Sequence, residues 1–233
     1  DFMDLLAIDT FSDVCSVAFF STVDSRPALV RSTSETRSHA SKLAVFAAEL
    51  IKEAGKSPNG VVVIAGPGSY TGLRIGVSTA KGLAWSLDIP LYAVSALQYL
   101  ANIASQPEEE SVVVTIIKAR IDEVFLARFR QTTSGLLRES EDVAMSVDQA
   151  TTLLSEMQPA KTLVSNHAET LKPFQNLEIA TEIVEPRIEG IKTLLSNHLN
   201  HFRVNDLNSF EPAYLKEFVA RKAAKSIFDR LPF

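Results

Sequence analysis

Five apolar residues, Val61 to Ala65, open directly into Gly66-Pro67-Gly68-Ser69-Tyr70-Thr71-Gly72-Leu73-Arg74-Ile75-Gly76-Val77-Ser78-Thr79-Ala80-Lys81-Gly82. That junction constrains the fold more than any other stretch. The apolar run reads as a buried strand and the residues after it as a helix, so the chain contains the strand–turn–helix unit of an α/β fold. A glycine-rich turn there bares backbone N–H groups at a helix N-terminus, where they favour an anion or a close-approaching partner. Five glycines in these seventeen residues exceed what one phosphate turn needs. Gly72, Gly76 and Ala80 recur every four residues and share one helix face that has almost no side chain. Two readings follow. Either the helix packs tightly on its own sheet, or that face is a docking surface for a second protein.

The strand and helix grammar extends in both directions. Leu5–Thr10, Ser16–Phe20 and Ala28–Ser32 read as strands. A helix follows from Ser38 as N-cap to Gly55 as the left-handed residue after its end. Its apolar stripe runs through Ala40, Leu43, Ala44, Ala47, Leu50, Ile51 and Ala54, with Val45 on the opposite side. After the glycine-rich helix come a strand at Leu91–Val94 and a helix from Ser95 to about Ser105. Gln106-Pro107-Glu108-Glu109-Glu110 is polar, acidic and broken by proline, which marks a linker. Beyond it the order begins again. Val112–Ala119, Glu123–Arg130 and Leu136–Met145 read as strands, Val147–Met157 as a helix, Thr162–Ser165 and Ile179–Val184 as strands, and Ile188–Phe202 as a helix. The repeated order predicts a duplicated α/β unit with a cleft between the copies as the natural ligand site. The expected divisions are a first lobe at 1–105, a second lobe at 106–205 and a helical tail at 206–233, which packs on the body from Phe210 onward.

Composition narrows the function classes. A net charge of −5 offers no global attraction to nucleic acid. The single cysteine, Cys15, allows no internal disulfide and fits a reducing cytosol, in a setting that reads as structural. No apolar run of 18 residues is present and the first residues carry no leader pattern, so a cytoplasmic protein without a membrane partner is expected.

Several residues carry candidate chemistry. Asp9-Thr10 ends the first strand, where an aspartate either holds a hydrated magnesium ion beside phosphates or closes an Asx-turn. The equivalent place in the second half holds Lys118, which can meet a phosphate but cannot ligate magnesium. The backbone amides of Gly68 to Thr71, with Ser69 among them, are the phosphate candidates, although no P-loop or G-x-G-x-x-G pattern is present. His198 and His201 share a predicted helix face, and His39 lies at a helix start; none has a carboxylate or third histidine at a helpful spacing. No catalytic or metal residue is assigned. Arg221, Lys222 and Lys225 form a small basic patch that reads as a solvated helix face.

With those residues in view, the chain resembles the TsaB (YeaZ) family. Gly66–Gly82 is similar to that family's signature almost letter for letter. Further matches are Leu6-Ala7-Ile8-Asp9-Thr10 with Ser16-Val17-Ala18, Ser38-His39-Ala40-Ser41-Lys42-Leu43, Ile89-Pro90-Leu91 with Val94-Ser95-Ala96-Leu97, and Pro212-Ala213-Tyr214-Leu215-Lys216. The resemblance implies a duplicated actin/Hsp70-like (ASKHA), ribonuclease-H-like fold in two lobes. It also implies a non-catalytic subunit of the machinery that installs threonylcarbamoyl on adenosine 37 of tRNA. The implied partners are a TsaD-type catalytic paralogue, a TsaE-type ATPase, a second copy of the chain in isolation, and tRNA reached through the complex. No tightly bound cofactor is implied beyond weak ATP or ADP binding. The paralogue's H-x-x-x-H metal motif would fall where this chain reads Ser95-Ala96-Leu97-Gln98-Tyr99-Leu100. Two departures lie in the second lobe: Lys118-Ala119-Arg120-Ile121-Asp122-Glu123-Val124 replaces D-A-R-x-x-E-V, and Ser165-Asn166-His167 stands where a glycine pair is common.

The leading expectation is therefore a docking surface on the helices at 38–54 and 71–87. It is drawn through His39, Leu43, Phe46, Leu50, Gly72, Leu73, Gly76, Val77 and Ala80. Its competitors are an ASKHA nucleotide-binding protein or ATPase that uses Asp9, Thr10, Gly68, Ser69 and Thr71, and a glycoprotease-like metallopeptidase.

Overall fold

The computed structural model describes residues 3–23, 26–35, 39–105, 111–133, 135–157, 161–196 and 199–215. The first sheet contains β1 (Asp4–Asp9), β2 (Cys15–Ser21), β3 (Leu29–Thr33), β4 (Gly60–Gly66) and β5 (Leu91–Ser95), in the order β3-β2-β1-β4-β5. β1–β2 and β2–β3 are antiparallel, whereas β1–β4 and β4–β5 are parallel. The second sheet repeats this plan. Its strands β6 (Val112–Arg120), β7 (Glu123–Thr132), β8 (Gly135–Arg138), β10 (Lys161–Ser165) and β11 (Ala180–Ile183) lie in the order β11-β10-β6-β7-β8. The same two antiparallel and two parallel pairings recur, and β9 (Val143–Ser146) adds a sixth strand against β7. This duplicated ribonuclease-H-like topology is the two-lobe actin/Hsp70-like fold expected from the sequence.

Strand alternation sorts the side chains into layers. Leu6, Ile8, Val61, Val63 and Ala65 face helices α1 (His39–Ala54) and α2 (Tyr70–Leu87). Leu5, Ala7, Val62 and Ile64 face the middle of the molecule, together with α3 (Ala96–Ile103). Val113, Ile117, Phe129 and Val164 reach the same central core from the second sheet, as do Ile191, Leu194 and Leu195 of α6 (Ile191–Ser196). The outer side of the second sheet packs on α4 (Val147–Glu156) and the short α5 (Ala168–Leu171) through Val114, Ile116, Ala150, Leu154 and Phe174. The space between the lobes is thus largely filled by α3, with Leu97, Tyr99 and Leu100 fully buried.

Caps explain several boundaries. Ser69 and Ser95 accept the N–H groups of Gly72 and Gln98 and so start α2 and α3. Gly55 adopts φ +66° just past α1, the left-handed turn expected of it.

Three expected elements differ. The strand at Leu136–Met145 is broken into β8 and β9 (Val143–Ser146), because Glu139 and Ser140 both turn back to donate to the Arg128 carbonyl. Over its described residues, the helix expected at Ile188–Phe202 contains only α6, flanked by 3₁₀ turns at Ile188–Gly190 and Leu199–Phe202. Residues after it return to the first lobe: Val204 N–H donates to Leu91 O and Arg203 bridges Tyr92. The tail expected as a helix from Phe210 is irregular over its described part, 210–215, with Ala213 N–H donating to Ala65 O at 2.9 Å. The linker at 106–110, the Ser38 cap, His198, Phe218, Val219 and the basic residues Arg221, Lys222 and Lys225 lie outside the described residues.

Candidate functional site

The glycine row resolves in favour of internal packing. A β-carbon on Gly76 would strike the Thr10 hydroxyl, one on Gly72 the Thr10 carbonyl oxygen, and one on Gly68 the Phe11 carbonyl oxygen. These glycines let α2 and its leading turn seat directly on the β1–β2 hairpin of the same chain. The expected interface residues share that fate. Leu43, Leu50, Val77 and Ala80 are buried between the helices and the first sheet, Phe46 is half-buried against them, and Leu73 is buried in the central core. Only the backbone of His39 is described, as the first residue of α1. Apolar periodicity had identified the face that turns inward.

The outward faces carry a different pattern. On α1, Ser41, Ala44, Val45, Ala48 and Lys52 are exposed, Val45 by 51%. On α2, Thr71, Arg74, Ser78, Gly82 and Trp85 are exposed at helical spacing, Trp85 by 70%. A β-carbon on Gly82 would meet nothing within 4 Å. Two neighbouring helices therefore present a mostly small-residue surface beside an exposed tryptophan. The signal lay in the sequence, as the complement of the apolar stripes.

The nucleotide candidates are separated by the same packing. Asp9 and Thr10 are 1% and 0% exposed. Asp9 Oδ1 accepts the Phe11 N–H at 3.0 Å, the Asx-turn alternative. Burial pushes the Asp9 carboxyl up to about 7, only partly opposed by that hydrogen bond. Ser69 N–H is spent on Phe11 O at 2.9 Å, and the Ser69 hydroxyl on its capping bond. Thr71 is exposed on the outer face of α2. A magnesium nucleotide needs an ionised, accessible carboxylate and open amides, and these residues do not fit one. Cys15 is likewise buried, its thiol pushed up to about 11 by burial first and by Asp9 second, which fits its structural reading.

One cavity between the lobes has a volume of about 340 Å³. The α2 turn contributes Gly68, Ser69 and Tyr70, the β6–β7 hairpin contributes Lys118 and Arg120, and Tyr214 closes the third side. Arg74 lies 4.5 Å over the Tyr70 ring and donates from Nε to the Tyr214 hydroxyl at 3.1 Å. The two rings sit 5.1 Å apart. Lys81 fastens the segment leading to Tyr214 by donating to the carbonyls of Asn208 and Phe210.

A second inter-lobe contact joins Ser95, whose hydroxyl donates to Asp142 at 2.6 Å, and Arg138, which pairs with Asp142 at 2.7 Å and reaches Gln98 at 3.3 Å. Among the described residues, no group of three or more His, Cys, Asp and Glu side chains is placed to hold a metal ion, and no helix is long and apolar enough to cross a membrane. The positions expected for the paralogue's metal motif hold the Ser95 cap and the buried Leu97 and Tyr99 instead.

Comparison with known proteins agrees with this architecture. The family model for TsaD, tRNA N6-adenosine threonylcarbamoyltransferase, matches residues 31–231. The tRNA threonylcarbamoyladenosine biosynthesis protein TsaB of Escherichia coli is 32% identical over 148 residues, 61% of this chain and 62% of that protein. The TsaB protein of Bacillus subtilis is 48% identical over 79 residues, 34% of this chain and 33% of that protein. The matches thus span less than two thirds of the length of either relative. The solved structure of YeaZ from Pseudomonas aeruginosa superposes with a TM-score of 0.73 at 24% identity, over 91% of this chain and 99% of that one.

Proposed function

The chain belongs to the TsaD family over residues 31–231, and from its likeness to TsaB proteins we propose that it is a TsaB-type, non-catalytic scaffold subunit that serves the threonylcarbamoylation of tRNA adenosine. Its docking surface is the outer face of α1 and α2, centred on Ala48, Ser78 and Gly82 with Val45 and Trp85 at its edges. Its partner is a TsaD-type catalytic paralogue that offers the equivalent helix pair, and a second copy of the chain takes that place in isolation. The TsaE-type ATPase joins the assembled pair.

One observation carries this reading: small residues lie on the outside of two adjacent helices while the large apolar ones turn inward. Small outward residues let a neighbouring helix approach closely, and Trp85 supplies the kind of exposed aromatic anchor that dominates interface energetics. The sealed Asp9–Thr10 hairpin and the capping and core roles of Ser95–Tyr99 support a supporting role over a catalytic one. Reconstitution of the modification reaction with and without this chain tests the proposal. Modification that depends on the chain is the expected result, and full-rate modification by the paralogue alone would refute it.

A further inference from the structure

The 340 Å³ cavity between the lobes has a lining that the scaffold role does not use. One wall carries the cations: Lys118 and Arg120 project from the β6–β7 hairpin, both exposed, and neither makes an ion pair among the described residues. Another wall is aromatic. Tyr70 and Tyr214 are each more than a third exposed, and Arg74 fixes them as a corner through its stacking and its hydrogen bond. Glu211 lies near enough to Arg74 to offset part of its charge, which leaves the two hairpin cations for an incoming anion.

Planar rings beside unpaired cations match the way single-stranded nucleic acid is held, with a base stacked on an aromatic side chain and the adjoining phosphates on basic ones. The volume lies in the range of small-ligand sites and suits one nucleotide. Both cations are solvent-exposed, as a continuing strand requires, and among the described residues that line the cavity there is no carboxylate to hold the magnesium of a free nucleotide. We propose that this cavity binds one unpaired nucleotide of an RNA loop, its base against the Tyr70–Tyr214 corner and its flanking phosphates on Lys118 and Arg120. The inference rests on the reading of this chain as a tRNA-modification subunit and adds a direct RNA contact to it.

Fluorescence anisotropy of a labelled anticodon stem-loop RNA with the full chain tests it. Replacing both Lys118 and Arg120 by Ala is expected to weaken binding at least about tenfold at low salt and to flatten the salt dependence by about 1.4 in log–log slope, two phosphate contacts' worth for a single strand. Melting should not change, because both side chains are exposed. Tyr214→Ala is expected to lose about fivefold or more, the equivalent of one lost stacking contact, whereas Tyr214→Phe keeps the ring and near-wild-type affinity. Unchanged affinity in the double variant would overturn the proposal. So would displacement of the RNA by free adenosine monophosphate or by an acidic peptide at comparable concentration, which would assign the cavity to a nucleotide or a protein. The same double variant should still co-elute with the catalytic paralogue. If wild-type chain fails to co-elute, the scaffold reading is at fault instead.

Discussion

Gly76 faces the Thr10 hydroxyl so closely that a β-carbon would have no room between α2 and the end of β1. Thr10 is fully buried and its hydroxyl has no hydrogen-bond partner among the described residues. The contact welds the glycine-rich helix to its own sheet and decides which side of that helix is left for a partner.

Gly76→Ala is therefore expected to destabilise the fold by about 1–3 kcal/mol through overpacking. Thr10→Ala in the same chain removes the oxygen that the new methyl would strike and should recover most of the loss. Gly72→Ala meets the Thr10 backbone oxygen instead, so no change of the Thr10 side chain should rescue it. Denaturant midpoints of the single and double variants check both statements.

Asp9 makes stability depend on pH with a definite sign. Its carboxyl stands near 3.8 in an unfolded chain and is pushed up to about 7 by burial in the folded one. Between those values the folded state keeps a proton that the unfolded state has released. The contribution of Asp9 is therefore most favourable below about pH 4, declines as pH rises to about 7, and is flat above. Asp9→Asn keeps an acceptor for the Phe11 N–H and loses this dependence. The variant's advantage over wild type should grow from near zero at pH 4 to roughly 2–4 kcal/mol at pH 8, measured as the difference between their urea-unfolding free energies.

Asp142 ties the second lobe to the start of α3, accepting from both Ser95 and Arg138 and mostly buried itself. Asp142→Ala strips the partner from a largely buried arginine and should cost about 1–3 kcal/mol. Ser95→Ala loses the same contact and an N-cap, for about 1 kcal/mol or more. The pair should be non-additive in a double-mutant cycle.

Much of the fold was legible because strand and helix periodicities differ. The unbroken apolar run Leu5-Leu6-Ala7-Ile8 marked a strand buried on both faces, and the stripe through Leu43, Ala47 and Leu50 set a helix and its inward face. The duplicated order of strands was readable too, since it needs only the sequence of elements. What the stripe could not reveal was the body that covers it. Gly72 and Gly76 look alike whether they meet Thr10 of the same chain or a helix of another, because spacing carries no information on contacts distant in sequence. The same limit separated Asp9 from Gly68–Thr71 as a site: both ends of the loop were visible, but not that Phe11 lies between them and takes up the Ser69 amide. Trp85 and Gly82 stood in plain view on the polar side of α2.

The most direct test of the scaffold account is the Gly82→Arg variant, placed where a new side chain meets open space in the free chain. Co-purification with the TsaD-type paralogue should fall at least about a hundredfold, the scale of a clash at an interface centre, while the variant melts like wild type. An intact complex with unchanged affinity would contradict the assignment of the outer faces of α1 and α2 as the docking surface.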